Sequence, residues 1–168
     1  SSTPPPPPRQ SQCNDYSDDY SEERGMSEAI AKNLSLLSNL KTAVIVIITG
    51  EGGSGGALAI GIGDHVCMLE HSIYAVASPE ACASIVWRDG SKAKDAAEAM
   101  KVDASNLRNL GLVDEVIEEP LGGAHRDIRG VSISISQVIE KKLQTFDEVD
   151  ISDLLKKRYE KIMSYGSI

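Results

Sequence analysis

Cysteine and aromatic residues are scarce in this chain, and basic residues are outnumbered by acidic ones. The three cysteines, Cys13, Cys67 and Cys82, show no C-x-x-C spacing. We therefore expect neither a disulfide framework nor a zinc site built by this chain alone, and we expect a reducing cytoplasm. The 17 lysines and arginines against 25 acidic residues give a formal net charge of −8. That charge and an aromatic content of 4% argue against nucleic acid and anionic membranes as partners.

Long apolar runs are lacking as well. No uninterrupted apolar stretch approaches the roughly 18 residues that a transmembrane helix needs. The N-terminus shows no basic segment followed by an apolar one, so we predict no secretory signal. A length of 168 residues, with 41% hydrophobic and 25% charged residues, fits one globular domain.

The composition changes near residue 20. Residues 1–20 contain five consecutive prolines followed by acidic and polar residues, which predicts a disordered leader. A docking motif for a proline-binding module is the alternative. Residues 21–168 alternate strand-like apolar runs with helical patterns, which predicts an α/β fold.

The apolar patterns place the individual elements. Four strands are predicted at residues 43–48, 65–70, 72–77 and 112–118, the first of them buried on both faces. Helices are predicted at residues 22–40, 57–60, 79–88, 92–100, 103–110, 131–146 and 152–163, with Glu22 and Glu23 in the first turn. We expect Trp87 in the core, and Cys67 and Cys82 as small buried hydrophobes.

Seven of the 14 glycines lie between residues 50 and 63, directly after the first predicted strand. Gly50, Gly52 and Gly55 match G-x-G-x-x-G, the dinucleotide fingerprint, and Glu70 stands where such a site places its ribose ligand. The helix that follows is predicted to be short for a crossover between parallel strands, which counts against this hypothesis.

The same glycines also match a nucleophile elbow. Gly52, Ser54 and Gly56 satisfy G-x-S-x-G. A serine hydrolase would use Ser54 as nucleophile, His125 as base and Asp114 to orient it. The chain is short for that fold, and the motif matches easily in any glycine run that contains serine.

Cations are missing around this turn. Residues 43–87 contain no lysine or arginine, so a P-loop is excluded and a phosphate would meet backbone donors only. The pattern favours backbone N–H groups at a helix N-terminus, aimed at an oxygen that gains charge during a reaction. A tight turn whose glycines only permit close packing is an equal alternative at this point.

Several blocks beyond the turn are similar to the bacterial acetyl-CoA carboxylase carboxyltransferase alpha subunit. They are "GEGGSGGALAIGIGDHVCMLEHSIYAVASPEACASIVW", "KAKDAAEAMKV", "GLVDEVIEEPLGGAHRD" and "RYEKIMSYG", in the family's order between about residues 22 and 166. The resemblance implies a crotonase-like fold of repeated β-β-α units, of which residues 21–168 are the C-terminal part. The family's subunit is longer at its N-terminus, so we expect a truncated chain, and an inactive fragment or assembly module is the alternative.

The resemblance also implies a reaction and partners. The family moves a carboxyl group from carboxybiotin, held on the biotin carboxyl carrier protein, to acetyl-CoA, giving malonyl-CoA for fatty-acid biosynthesis. The subunit works in an ATP-dependent complex with biotin carboxylase and with a beta subunit, and the two carboxyltransferase subunits form a heterotetramer. We expect this chain to be inactive without the beta subunit, to carry no covalent cofactor, and to leave zinc binding to the beta subunit.

Site residues follow from the same resemblance. Gly52 and Gly53 are expected to form a backbone oxyanion hole for the ureido carbonyl of biotin, and Ser54, Gly55 and Gly56 to complete the carboxybiotin site. No protein nucleophile is then required, so Ser54 loses its role in a triad. His125 and Arg126 are expected either to contact the partner or an acidic cofactor group, or to lie in a solvent-facing turn.

Overall fold

The computed structural model describes residues 25–166, in which short parallel strands alternate with helices and confirm the predicted α/β class. The strands are β1 (Ile45–Ile48), β2 (Glu51–Gly53), β3 (His65–Leu69), β4 (Ile73–Ala75) and β5 (Glu115–Ile117). The helices are α1 (Met26–Ser38), α2 (Ser54–Gly61), α3 (Pro79–Trp87), α4 (Ala93–Met100), α5 (Ala104–Asn109), α6 (Ile128–Asp147) and α7 (Ile151–Ser164). The predicted leader and the predicted first turn at Glu22 and Glu23 lie outside the described residues.

Two parallel sheets organise the described residues. The larger has the strand order β1-β3-β5, and the smaller pairs β2 with β4. Each of the first two strands of the larger sheet is followed by a strand of the smaller sheet and then by a helix, giving the units β1-β2-α2 and β3-β4-α3. This arrangement brings the glycine turn, at the start of α2, beside β4.

The core forms on both faces of β3, whose five residues are all buried. Val66 and Met68 pack into one cluster with Leu107, and Cys67 and Leu69 pack into another on the opposite face. The prediction that the first strand is buried on both faces is wrong for most of β1, because Ile48 alone is fully buried. β1 is an edge strand among the residues that the structure describes, so its other side chains stay half-buried.

A buried arginine fastens α7 to the rest of the fold. The guanidinium of Arg158 is 1% exposed and donates to both carboxylate oxygens of Asp64 at 2.8 and 2.7 Å. It also donates to the carbonyl groups of Leu40 at 2.9 Å and Thr42 at 2.8 Å. Arg158 therefore joins the last helix to the connection between α1 and β1, and every one of its nitrogens has a partner.

The predicted helix signals are confirmed where they rest on local chemistry. Ser78 caps α3 by accepting the N–H of Ala81 at 3.2 Å, with Pro79 in the first helical position. The segment at residues 131–146, whose start alternates like a strand, is helical as α6. None of the described helices combines the length and the hydrophobicity that crossing a membrane requires.

Two burial predictions need correction. Trp87 is 42% exposed rather than part of the core, because α3 buries the small Ala83 and turns its larger apolar side chains outward. Cys67 is fully buried as predicted, whereas Cys82 is only half-buried.

Candidate functional site

The glycine turn lies at the junction of β2 and α2, and it is more regular than predicted. Residues 51–53 form a strand that pairs with β4, with Gly52 opposite Tyr74 and Gly53 opposite Ala75. The helix begins at Ser54, three residues earlier than the predicted start at residue 57. The turn is therefore a direct passage from strand to helix.

The glycines in this passage serve different purposes. A Cβ at Gly52 would lie 2.7 Å from Cδ1 of Ile60, so a side chain there would force the end of Ile60 to move, and close packing favours glycine. A Cβ at Gly55 or Gly56 would meet no atom within 4 Å. Glycine costs about 1 kcal/mol relative to alanine within a helix, so the fold gains nothing from these two. A turn built only for close packing accounts for Gly52 but leaves Gly55 and Gly56 unexplained.

The hydrogen bonds between β2 and β4 indicate which way the N–H groups of Gly52 and Gly53, the two predicted donors, point. The N–H of Ile73 donates to the carbonyl of Gly50 at 2.8 Å. Because residues of a parallel strand turn alternately toward and away from their neighbour, this phase directs the N–H of Gly52 toward β4 and that of Gly53 away from it. α2 has no side-chain N-cap and no acidic residue in its first turn. The N–H of Gly53 therefore faces away from β4, and the first N–H groups of α2 have no partner within the helix.

A pocket of about 430 Å³ opens beside these donors. Its lining is mostly apolar and contains no lysine or arginine; the residues are Glu51, Gly52, Gly53, Ser54, Ile73, Ala75, Ala77, Ser78, Pro79, Ala97, Met100 and Val102. A volume of this size falls within the usual range of small-molecule sites, roughly 300–1,000 Å³. The lining suits a largely apolar ligand that presents an oxygen atom to backbone N–H groups.

The structure does not assemble the predicted Ser-His-Asp triad. The carboxylate of Asp114, at the amino end of β5, accepts the N–H of Val66 at 2.7 Å and is bonded to Lys161 at 2.6 Å. His125 lies beyond the opposite, carboxyl end of β5 in an exposed 3₁₀ turn. In residues 25–166, no hydrogen bond joins Ser54 to either side chain. The geometry does not favour the hydrolase hypothesis.

Ser54 itself has an unusual backbone. Its φ angle is +52°, in the left-handed region that disfavours residues with a Cβ. Such a conformation costs on the order of 1 kcal/mol and persists where the surroundings impose it. The strain therefore lies at the point where β2 passes into α2.

The dinucleotide hypothesis fails for a reason other than the predicted one. β1 and β3 are parallel neighbours joined through the eight-residue α2, so the argument that this helix is too short for a crossover is wrong. The fingerprint needs a helix directly after the strand, and β2 stands between β1 and α2. Glu70, the predicted ribose ligand, instead accepts the N–H of Glu119 at 3.4 Å.

A buried carboxylate anchors the loop that carries His125 and Arg126. The side chain of Glu119 is 4% exposed and accepts the N–H groups of His71 and Ala124, each at 2.7 Å. Burial alone would raise the pKa of Glu119, but these donors outweigh it and lower the pKa below its ordinary value. His125 and Arg126 are exposed and do not line the pocket at the glycine turn. The sequence showed Glu119 as one acidic residue among several, without signalling this role.

Three side chains with metal-binding atoms meet between β3 and β5. The ligand atoms of His65, Cys67 and Glu115 lie within 4.8 Å of one another. Burial raises the pKa of the Cys67 thiol to about 11, and the positive charge of Lys142 acts on both Cys67 and His65. Glu115 is already bonded to Nε2 of His65 at 3.1 Å. A protonated thiol beside an ammonium group is a poor cation site, so we treat this cluster as a structural contact.

Comparison with known sequences gives one family. A family model described as acetyl co-enzyme A carboxylase carboxyltransferase-like matches residues 13–166. The acetyl-coenzyme A carboxylase carboxyl transferase subunit alpha of Vibrio cholerae serotype O1 is 56% identical over 145 residues, which cover 86% of this chain and 46% of that protein. The subunit of the same name from Alcanivorax borkumensis is 52% identical over 147 residues, covering 88% and 46%. The chain thus spans about half the length of the curated relatives it matches.

Comparison with solved structures supports the fold. A Pseudomonas malonate decarboxylase hetero-tetramer, solved in complex with coenzyme A, contains a chain that matches with a TM-score of 0.63 and 18% identity, over 82% of this chain and 54% of that one. An enoyl-CoA hydratase/isomerase from Marinobacter aquaeolei matches with a TM-score of 0.51 and 17% identity, over 84% and 52%. These neighbours confirm the expected crotonase-like fold class.

Proposed function

The chain belongs to the acetyl-CoA carboxylase carboxyltransferase-like family, and from that premise we propose that it transfers a carboxyl group from carboxybiotin to acetyl-CoA. The product is malonyl-CoA, the precursor for fatty-acid synthesis. The carboxyl group leaves the biotin nitrogen for the methyl carbon of acetyl-CoA, and a proton from that methyl group returns to the nitrogen. The observation that carries the proposal is that Gly53 and Ser54, at the uncapped start of α2, line a mostly apolar pocket that contains no lysine or arginine.

The residues of the pocket fit the biotin ring system. Biotin is bicyclic, uncharged in its ring system and largely apolar, with one ureido carbonyl as its acceptor, and the pocket offers apolar walls and backbone donors. Gly53 and Ser54 line the pocket, and a Cβ at Gly55 or Gly56 in the adjoining helix turn would meet no atom within 4 Å. Bound there, carboxybiotin supplies an activated carboxyl group. Carboxybiotin would be held by Gly53, Ser54, Gly55 and Gly56. Gly52, which has no side chain, lets the strand pass close to Ile60.

The donors of this chain act on charge that develops at the ureido oxygen. A fixed N–H group aimed at a developing oxyanion contributes about 3–4 kcal/mol in well-studied enzymes. The phase of the small sheet favours Gly53 over Gly52 as the first donor, because the N–H of Gly52 faces β4. The absence of lysine and arginine from the pocket lining keeps the site selective for an oxygen that becomes charged only during the reaction.

We further propose that the active site is completed by partners. A beta subunit binds acetyl-CoA and carries the zinc, the biotin carboxyl carrier protein delivers the carboxyl group, and biotin carboxylase loads it. A hetero-tetrameric assembly is seen in the malonate decarboxylase neighbour, which supports the same kind of organisation here. The free thiols of Cys67 and Cys82 support a reducing, cytoplasmic location.

Reconstitution tests the proposal. The chain is mixed with a bacterial carboxyltransferase beta subunit, carrier protein labelled with ¹⁴C in the carboxyl group, and acetyl-CoA, and labelled malonyl-CoA is counted. We expect label in malonyl-CoA only when both subunits are present. A stable complex of the two subunits that forms no malonyl-CoA would contradict the proposal and identify an assembly module instead.

A further inference from the structure

α2, the helix that follows the glycine turn, has little intrinsic stability. It is eight residues long and contains Gly55, Gly56 and Gly61, whereas isolated helices shorter than roughly 12 residues are marginal in water. It has no side-chain N-cap, no acidic residue in its first turn and no basic residue in its last turn. Ala57 is the residue that it buries. Contacts from other elements must therefore fix where the helix points.

Two tyrosine hydroxyl groups provide such contacts. The hydroxyl of Tyr74 donates to the carbonyl of Ala57 at 2.8 Å, and the hydroxyl of Tyr165 donates to the carbonyl of Gly61 at 3.1 Å. Gly61 ends the helix, so its carbonyl lacks a donor within the helix. A Cβ at Gly61 would lie 3.3 Å from the Tyr74 hydroxyl oxygen and 4.0 Å from Cε2 of Tyr165. Both phenol groups thus converge on the space that this glycine leaves open.

Tyr74 lies in a sheet, and Tyr165 directly follows a helix that is tied to the residue before β3. Tyr74 lies in β4 opposite Gly52, so one residue contacts both the start of the glycine turn and the body of α2. Tyr165 directly follows α7, which Arg158 fastens to Asp64. Burial raises the pKa of Tyr165 to about 12 and also raises that of Tyr74, so both hydroxyl groups keep their protons at neutral pH.

We propose that Tyr74 and Tyr165 are positioning residues that hold α2, and with it the N–H groups of residues 53–56, in place beside the pocket that Gly53 and Ser54 line. Neither tyrosine is among the residues that line the pocket, so both act through the helix. The inference rests on the proposed carboxyl transfer for the purpose of those N–H groups, while the contacts with α2 stand independently of it. Misplacing a catalytic group by about 1 Å can cost on the order of 100-fold in rate, so small rotations of α2 matter.

Tyr165→Phe tests the proposal because it removes one hydroxyl group and leaves the ring. In the full chain, amide hydrogen exchange is measured for residues 57–63, and losing one hydrogen bond should speed it about five-fold. In the reconstituted complex we expect kcat to fall by a similar factor while KM for acetyl-CoA stays unchanged. Tyr159→Phe is the matched control, because Tyr159 lies on the same helix and is 65% exposed.

The two readouts separate this inference from the proposed function. Exchange in residues 57–63 that is identical in Tyr165→Phe and the wild type would overturn the positioning role, whether or not the complex is active. Faster exchange with an unchanged kcat in an active complex would overturn the link to the glycine turn. Absence of transfer in the wild-type complex would instead count against the proposed function, and the exchange data would still test the contact with α2.

Discussion

Replacing Gly55 by alanine should stabilise the chain and at the same time damage carboxyl transfer. A Cβ at this position meets no atom within 4 Å, so the substitution is accommodated without strain. Alanine is favoured over glycine in helices by up to about 1 kcal/mol, which corresponds to a rise in Tm of roughly 2–4 °C for a domain of this size. The added methyl group fills open space in the first turn of α2, next to the N–H groups that we propose bind the ligand. We expect kcat to fall by about 100-fold, as for a displaced oxyanion donor.

Thermal unfolding and the labelled transfer assay measure the two effects on the same preparation. Gly50→Ala is the matched control, because a Cβ at Gly50 also meets no atom within 4 Å and the residue precedes β2, away from the first N–H groups of α2. The control should keep wild-type activity. If Gly55→Ala raises Tm and retains full activity, the open space at residue 55 is not needed for ligand binding. If it lowers Tm, the added methyl group clashes with its surroundings, and the space beside Gly55 is not free.

Three further substitutions test the account. Arg158→Lys should lower the free energy of unfolding by about 3 kcal/mol in urea titrations, because lysine cannot restore the paired contacts with Asp64; a loss below 1 kcal/mol, typical of an exposed ion pair, would show that the arginine is not a clamp. Ser54→Gly should raise the free energy of unfolding by up to about 1 kcal/mol by relieving the positive φ, and a decrease would show that the serine side chain compensates for the strain. The pKa of Glu119 is lowered in the folded chain, so its stabilising contribution is fully present above its ordinary pKa of 4.5 and is lost as the pH falls through the lowered value. Glu119→Gln should therefore remove that part of the acid-side decrease in stability, and an unchanged dependence on pH would contradict the anchoring role.

Local chemistry made several helices predictable. Ser78, Pro79 and Glu80 stand in the order that begins a helix, and α3 starts there. In α6 the helical spacing of apolar residues outweighs the strand-like start, and two serines that break the apolar pattern bond within the helix. The hydroxyl groups of Ser132 and Ser134 donate to the carbonyls of Ile128 and Gly130 at 2.7 and 3.2 Å.

Contacts between distant residues were not predictable in the same way. Arg158 pairs with Asp64, 94 residues away, and Glu119 bonds to His71, 48 residues away, and neither pairing leaves a periodic signal. β2 contains two glycines, which have low strand propensity, and it exists because β4 lies beside it. The sequence also does not distinguish Gly52, where a side chain would clash with Ile60, from Gly55, where it would not.

The proposed contact between the glycine turn and biotin can be observed directly. With 14 glycines in the chain, selective ¹⁵N-glycine labelling of this subunit in the reconstituted complex gives few enough amide signals to follow during a titration with free biotin. We expect the signals of Gly53, Gly55 and Gly56 to shift with a common saturation curve while those of Gly111 and Gly130 stay in place. Saturable inhibition of carboxyl transfer by biotin without any shift at Gly53, Gly55 or Gly56 would contradict it.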